Sequence, residues 1–291
     1  MARAAVVSAM VKGIPMAVAN YDELDYHRLP SLSASGAKRL LSPGCPALYK
    51  HDWDNGGRPN KRAFDVGHAA HAAVLGVGLE LVVIDHDDYK TKAAREARDE
   101  AYAAGACPVL TKEKAGVDAM ALAIRQHPLA SKLLDPERGR PEVSVFWHDE
   151  DRGIDRRARF DWLPNPDGAR TLVVPDYKTT ASAEPRAFSR SIWNFGYDIQ
   201  AVWYMDAVRA ADLADDVEFL FIAQETTAPY LITVHQLDHD ALKVGRARVD
   251  EACAIFRACT QTNTWPGYLD GVELVPPPQW LADTYLEDVR F

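Results

Sequence analysis

The chain has 291 residues, 47% hydrophobic and 26% charged, with a formal net charge of −9. That is ordinary globular composition with ample material for a large core, and it excludes a fibrous or disordered chain. The acidic balance argues against nucleic-acid binding by bulk charge, so such a role needs a local basic surface.

No apolar run approaches the length that crosses a bilayer, so no membrane association is expected. Residues 1–18 are mildly apolar but interrupted by Lys12, Gly13 and Pro15. They lack the charged, apolar and cleavage regions of a signal peptide and read as a frayed or peripheral end. The four cysteines, Cys45, Cys107, Cys253 and Cys259, include no C-x-x-C pair. They suggest no disulfide framework, and a reducing cytoplasm is the simplest setting. Cys253 and Cys259 read as core thiols of a helix.

In chain order, residues 31–42 predict a capped helix with Ser33 as N-cap and Pro43-Gly44 as its stop. Residues 52–62 are loop-like, with Asn55-Gly56-Gly57 and Pro59. Phe64 to Leu75 predicts an alanine-rich helix, and Leu79 to Ile84 a strand. Charged helices follow over 89–104 and 112–134, the second interrupted near His127-Pro128. The period then becomes alternating. Strands are predicted over 142–148, 156–163 and 171–178, the last two joined through Pro164-Asn165-Pro166-Asp167-Gly168. Helices over 185–194 and 197–211, a hairpin over 217–224 and 230–237, and a long helix over 240–259 complete the pattern. From Thr264 the chain is irregular and is expected to wrap the domain. This order predicts an α/β fold, a central mixed β-sheet flanked by helices and preceded by a helical N-terminal region. No linker forces a boundary. One domain is expected over 1–291, with a mostly helical part (1–135), a catalytic core (140–262) and a tail (263–291).

Chemistry concentrates at Val174-Pro175-Asp176-Tyr177-Lys178. In a strand, residues i and i+2 share a face, so Asp176 and Lys178 project together. Asp161, on the preceding strand, adds a second carboxylate, and pairing it opposite Asp176 requires a turn near residue 168. Two carboxylates can hold Mg²⁺ through oxygen ligands, and a lysine can orient or activate a water. The plainer reading is an Asp–Lys pair beside a strand. Arg152, Arg156, Arg157 and Arg159 precede Asp161, and Arg186 and Arg190 follow Lys178. These arginines are either solvated edges or phosphate contacts beside a metal. Gln200 and Tyr204 lie one helical turn apart, with Tyr197 on the same face. His68 and His71 are spaced as a zinc-type pair, but no third ligand supports a closed zinc site. Glu142 opens the first strand.

The ordered set resembles the PD-(D/E)XK nuclease superfamily, and within it the RecE-type exonucleases (the exonuclease VIII family) of phages and prophages. The resemblance rests on Leu32-Ser33-Ala34-Ser35-Gly36, Gly67-x-Ala69-x-His71, Pro141-Glu142-Val143-Ser144, Asp161, Asp176-x-Lys178, Gln200-x-x-x-Tyr204 and Trp265-Pro266-Gly267-Tyr268. It implies a Mg²⁺-dependent exonuclease, with Mn²⁺ as a substitute, that degrades linear duplex DNA from 5′ ends and leaves 3′ overhangs for recombination. It further implies a homo-oligomeric ring, a RecT-type single-strand annealing partner, and a bacterial cytoplasm. On this resemblance His71, Asp161, Asp176 and the Tyr177 carbonyl bind metal, with motif register favouring His71 over His68. Lys178 holds or deprotonates the water. Gln200 and Tyr204 position DNA or the lysine, Arg157, Arg159, Arg186 and Arg190 contact phosphates, and Glu142 either joins the site or caps its strand. CRISPR-associated RecB-like and AddB-like nucleases resemble the chain in the same motifs but commonly carry a four-cysteine Fe–S cluster, which Cys253-x5-Cys259 does not suggest. A non-catalytic DNA-binding protein on the same scaffold is the other alternative.

Overall fold

The computed structural model describes residues 16–19, 21, 23–55, 63–166, 168 and 170–286. Of the predicted loop at 52–62, residues 52–54 instead close a helix (Pro46–Asp54) and 56–62 lie outside the described residues, as do most of the N-terminal segment and Asp167 of the predicted turn. Part of the segment read as a peripheral end is a strand, β1 (Met16–Ala19). It is followed by α1 (Glu23–Arg28), β2 (Leu32–Ser33), α2 (Ala34–Leu40), α3 (Pro46–Asp54) and α4 (Ala63–Leu75). Ser33 caps α2 as predicted, its hydroxyl accepting from the Gly36 amide at 3.2 Å. Next come β3 (Leu81–Ile84), α5 (Lys92–Ala103), β4 (Cys107–Leu110), α6 (Thr111–Gln126) and α7 (Ala130–Leu133). The break between α6 and α7 falls at His127-Pro128, where proline cannot continue the ladder of helix hydrogen bonds. β4 was not predicted: its four residues include a proline, and it exists by pairing in parallel with β3.

The remaining elements follow the predicted order, except that the tail, expected to be irregular, carries a helix over Gln279–Leu286. They are β5 (Gly139–Asp149), β6 (Ile154–Pro164), β7 (Thr171–Thr180), α8 (Pro185–Asn194), α9 (Tyr197–Ala210), β8 (Asp216–Glu225), β9 (Ile232–Gln236), α10 (His239–Thr262) and α11 (Gln279–Leu286). Their strands form two sheets rather than one. The first has the order β1-β5-β6-β2, and the second β7-β8-β9, with β3-β4 apart. Each large sheet mixes parallel and antiparallel pairs: β2 runs parallel to β6 and β7 parallel to β8, while β5–β6 and β8–β9 are antiparallel. The parallel β7–β8 pair needs a long crossover, which α8 and α9 supply. β6 lies beside β7, but no ladder joins them among the described residues, so the expected pairing of Asp161 opposite Asp176 is replaced by a seam between sheets.

Helices cover both sides of that seam. Ile199, Val202 and Trp203 of α9 pack with Val143, Phe160, Val174, Phe219 and Phe221. On the other side Ala70 and Leu75 of α4 and Met120 and Ile124 of α6 pack with Tyr177 and Ile222. The α9–α10 contact is close because Gly245 faces the Asp198 carbonyl. A Cβ there would sit 2.6 Å from that oxygen. Gly245→Ala is therefore expected to wedge α10 from α9 and lower stability by about 1–3 kcal/mol, read from urea unfolding.

All four cysteines are buried, and Cys253 and Cys259 lie in α10 as the expected core thiols. Of the predicted wrapping tail, Trp265 stacks on Tyr49, and Pro266 accepts from the Ala47 amide at 3.0 Å. Beyond it Val272, Leu274 and Val275 are each at least 87% exposed, so the described tail does not wrap the core there. No described helix is long and apolar enough to cross a membrane.

Candidate active site

The alternation of β7 sorts its side chains. Tyr177 turns to the α4–α6 side, its hydroxyl donating to Gln224 Oε1 at 2.5 Å. Asp176 and Lys178 turn the other way and form an ion pair at Asp176 Oδ2. Asp161 reaches across the seam from β6 towards Asp176 and the Tyr177 main chain. His71 arrives from α4. Its Nδ1 lies 3.8 Å from Asp161 Oδ2, its ring centre is 4.9 Å from that of Tyr177, and it hydrogen-bonds the Tyr177 main chain. His68, one turn earlier, is exposed.

Gln200 comes from α9 and donates from Nε2 to Asp176 Oδ1 at 2.8 Å. Its other amide atom, Oε1, accepts from Lys38 Nζ of α2 at 3.3 Å. An ammonium only donates, so Lys38 sets which end of the amide faces the carboxylate. Lys38 was missed by the sequence reading; it lies 162 positions from Gln200, and no local spacing signals the contact. Tyr197 completes this wall, with Lys38 Nζ 5.2 Å and Lys178 Nζ 5.3 Å from its ring centre.

The electrostatics follow from burial in this seam. Desolvation raises Asp176 to about 6, opposed by the Lys178 charge and reinforced by Asp161. Asp161 is raised for the same first reason, against the charge of Lys178. Burial also works against Lys178, but Asp176 and Asp161 outweigh it and hold the ammonium above its ordinary range. Desolvation, with Lys178 nearby, lowers His71 to about 4, so its imidazole is neutral around neutral pH. Desolvation and Lys178 likewise lower Lys38 to about 7.

Other predicted residues are placed differently. The β5–β6 register, through Pro141↔Trp162 and Val143↔Phe160, sets Glu142 opposite Asp161. Glu142 has φ +52°, a left-handed backbone rare for a non-glycine residue, and its carboxylate lies 3.8 Å from Arg159 Nε. Tyr204 does not reach the carboxylates by a hydrogen bond; its hydroxyl donates to the Arg159 carbonyl at 2.6 Å and ties α9 to β6. Arg157 and Arg159 do not offer free charge to phosphate. Arg157 is buried, donating to the Leu29 carbonyl and Ser31 Oγ. Arg159 donates to Ser144 Oγ and the Tyr21 carbonyl, and its guanidinium covers the Tyr26 ring. Arg186 and Arg190 are exposed on α8.

Sequence comparison now bears on this geometry. The family described as a PDDEXK-like domain of unknown function (DUF3799) matches residues 33–276. The chain belongs to this PDDEXK-like family. Among solved structures, that of a "Putative exonuclease" from Eubacterium rectale is similar, with a TM-score of 0.61 at 14% identity over 91% of this chain and 96% of that one. At that identity the likeness speaks for the fold. No curated protein matches. The PDDEXK-like fold implies a divalent metal, and the atoms of the seam suit one. Asp161 Oδ2 is buried without a hydrogen-bond partner, Asp176 Oδ2 meets the Lys178 ammonium, and the neutral His71 ring supplies a nitrogen donor beside them. Such oxygens are the ligands a hard divalent cation takes. Among the described residues no three His, Cys, Asp or Glu side chains are gathered to hold a metal as they stand. In this arrangement the Lys178 ammonium supplies the positive charge at Asp176.

Proposed function

We propose that the protein is a metal-dependent deoxyribonuclease, an exonuclease acting on linear double-stranded DNA through one catalytic domain. The observation that carries this reading is the pairing of buried Asp176 with half-buried Asp161, with Lys178 and His71 beside them, at the seam of a PDDEXK-like fold. His71, Asp161, Asp176 and the Tyr177 carbonyl would hold Mg²⁺ or Mn²⁺. When bound, the cation lowers the pKa of a water and offsets charge at phosphorus.

The remaining work falls to side chains. Lys178 keeps its proton at neutral pH, because its pKa is raised. Of the two roles the sequence left open, holding the attacking water or a phosphoryl oxygen fits better than deprotonating it. Gln200 secures one oxygen of Asp176 and Lys178 the other. Positioning and fixed charge of this kind account for much of enzymatic rate acceleration. Glu142, across from Asp161, is a further candidate for the site.

The resemblance to RecE-type exonucleases supports the finer reading: 5′-to-3′ digestion leaving 3′ overhangs, a ring-shaped homo-oligomer, a RecT-type annealing partner and a bacterial cytoplasm. Linear duplex DNA labelled at either end tests it, with Mg²⁺ or EDTA and a circular duplex as control. Early Mg²⁺-dependent release of the 5′ label with circles intact is expected. Cut circles would mean an endonuclease. No hydrolysis with Mg²⁺ or Mn²⁺ would leave a DNA-binding protein on a nuclease scaffold.

A further inference from the structure

The helix before the seam carries a face that the chemistry above does not use. At 3.6 residues per turn, Arg186, Arg190 and Trp193 fall on one side of α8, opposite the buried Phe188 and Ile192. Trp193 is 43% exposed, and Phe195, just past the helix, is 59% exposed. Residues 185–196 hold two arginines and no acidic residue, in a chain of net charge −9. The nearest acid, Glu184, is engaged as the N-cap, accepting from the Ala187 amide at 2.8 Å. This is the local basic surface that an acidic chain requires if it is to hold a polyanion.

Phe195, one residue past the helix, lies on the other side, in line with Phe188, and leads inward. Phe195 lies 5.8 Å from Tyr197, centre to centre, with their planes tilted by 37°. Tyr197 in turn lies under the ammonium groups of Lys178 and Lys38 and stacks on Phe221 of the sheet. An unbroken series of rings therefore runs from the catalytic lysine to solvent. Gly196, at φ +62°, makes the turn that places Phe195 at its outer end. An exposed ring past one end of α8 and two arginines along its outer side supply the two requirements of single-strand binding: a π-face for bases and cations for the backbone.

We propose that Phe195 forms a stacking platform for a base of a single nucleic-acid strand at the seam, with Arg186 and Arg190, beside Trp193 on the outer side of α8, holding phosphates further along it. The proposal rests on the nuclease reading for its orientation towards Lys178, but base stacking itself does not require hydrolysis. Its ligand is a strand with bases, whatever their sequence, because every base offers a π-face.

The test measures fluorescence anisotropy of a labelled single-stranded DNA oligonucleotide and an abasic oligonucleotide of equal length, in EDTA and at fixed salt. Wild type should bind the base-bearing strand more tightly. Phe195→Ala should weaken that binding about 5- to 150-fold, the range for loss of one base stack, and leave abasic binding unchanged. Phe195→Tyr should restore it and Phe195→Leu should not, which separates a π-face from simple apolar bulk. Arg186→Ala and Arg190→Ala should weaken both strands and flatten the salt dependence. Equal affinity of wild type for both strands, equal weakening of both by Phe195→Ala, or no binding at all would overturn the proposal. Base-dependent binding by a protein that hydrolyses no DNA with Mg²⁺ or Mn²⁺ would support the platform and remove the nuclease reading instead.

Discussion

Lys178→Met protein should fold and lose at least about a thousandfold in the rate of DNA hydrolysis. Removing one fixed donor or charge aimed at developing negative charge costs about 10²–10³ in turnover. A second loss adds to it here. After desolvation, which raises both carboxylates, Lys178 is the leading influence on Asp161 and Asp176, and it favours their ionised forms. Without it, two carboxylates side by side retain a proton to higher pH. Metal ligands must be deprotonated, so cation affinity falls together with turnover. Titration with Mn²⁺ separates the two losses: saturating metal should recover the affinity part and not the part due to missing charge. Lys178→Arg should not rescue, because a planar guanidinium does not reproduce a compact ammonium in a side-chain site only 16% exposed. Circular dichroism checks the fold. Activity within tenfold of wild type would place the chemistry away from this lysine.

The residues in that argument were legible in the sequence to different degrees, for physical reasons. Asp176 and Lys178 follow from the two-residue period of a strand, which survives whatever the strand pairs with. Gln200, expected to position DNA or the lysine, hydrogen-bonds Asp176, while Tyr204, set on the same face by helical spacing, donates to the Arg159 carbonyl instead. The resemblance also favoured His71 over His68, and the structure brings His71 to the carboxylates while leaving His68 exposed. The geometry between Asp161 and Asp176 was not legible, because the alternating pattern gives each strand a face but does not say which strands share hydrogen bonds. Two sheets meeting at β6 and β7 produce the same pattern as one continuous sheet. Arg157 and Arg159 read as surface charge in a run of four nearby arginines. They are held instead by Tyr26, Leu29, Ser31 and Tyr21, more than a hundred positions earlier. Lys38 was invisible for the same reason: its partner is set by the packing of α2 against α9, not by its neighbours in the chain. The left-handed backbone of Glu142 likewise has no signature in side-chain type.

Asp176→Asn and His71→Gln should change the pH dependence of stability in opposite directions between pH 4 and about 6.5, measured by urea unfolding in EDTA. Asp176 is raised from its ordinary value of 3.8 to about 6, so between those values the native state holds a proton that the unfolded chain has released. Its contribution to stability falls as pH rises through that window. His71 is lowered from 6.5 to about 4, so across nearly the same window the unfolded chain holds the extra proton. Its contribution rises with pH. Each shift corresponds to something on the order of 3 kcal/mol, and in wild type the two largely cancel. Asp176→Asn leaves the rising arm, so the variant should gain stability relative to wild type as pH goes from 4 to 6.5. His71→Gln leaves the falling arm, strengthened by Asp161, whose pKa is raised in the same sense. Lys178, with a raised pKa, stays protonated throughout and does not contribute to either slope. Groups that titrate alike in all three proteins, such as His235, drop out of the comparison. Parallel curves for both variants and wild type would mean that the site does not divide its proton in this way. The opposing slopes would locate that proton on the carboxylates and leave the imbalance a cation relieves: an imidazole free to donate its lone pair, beside an acid that releases its proton when metal binds.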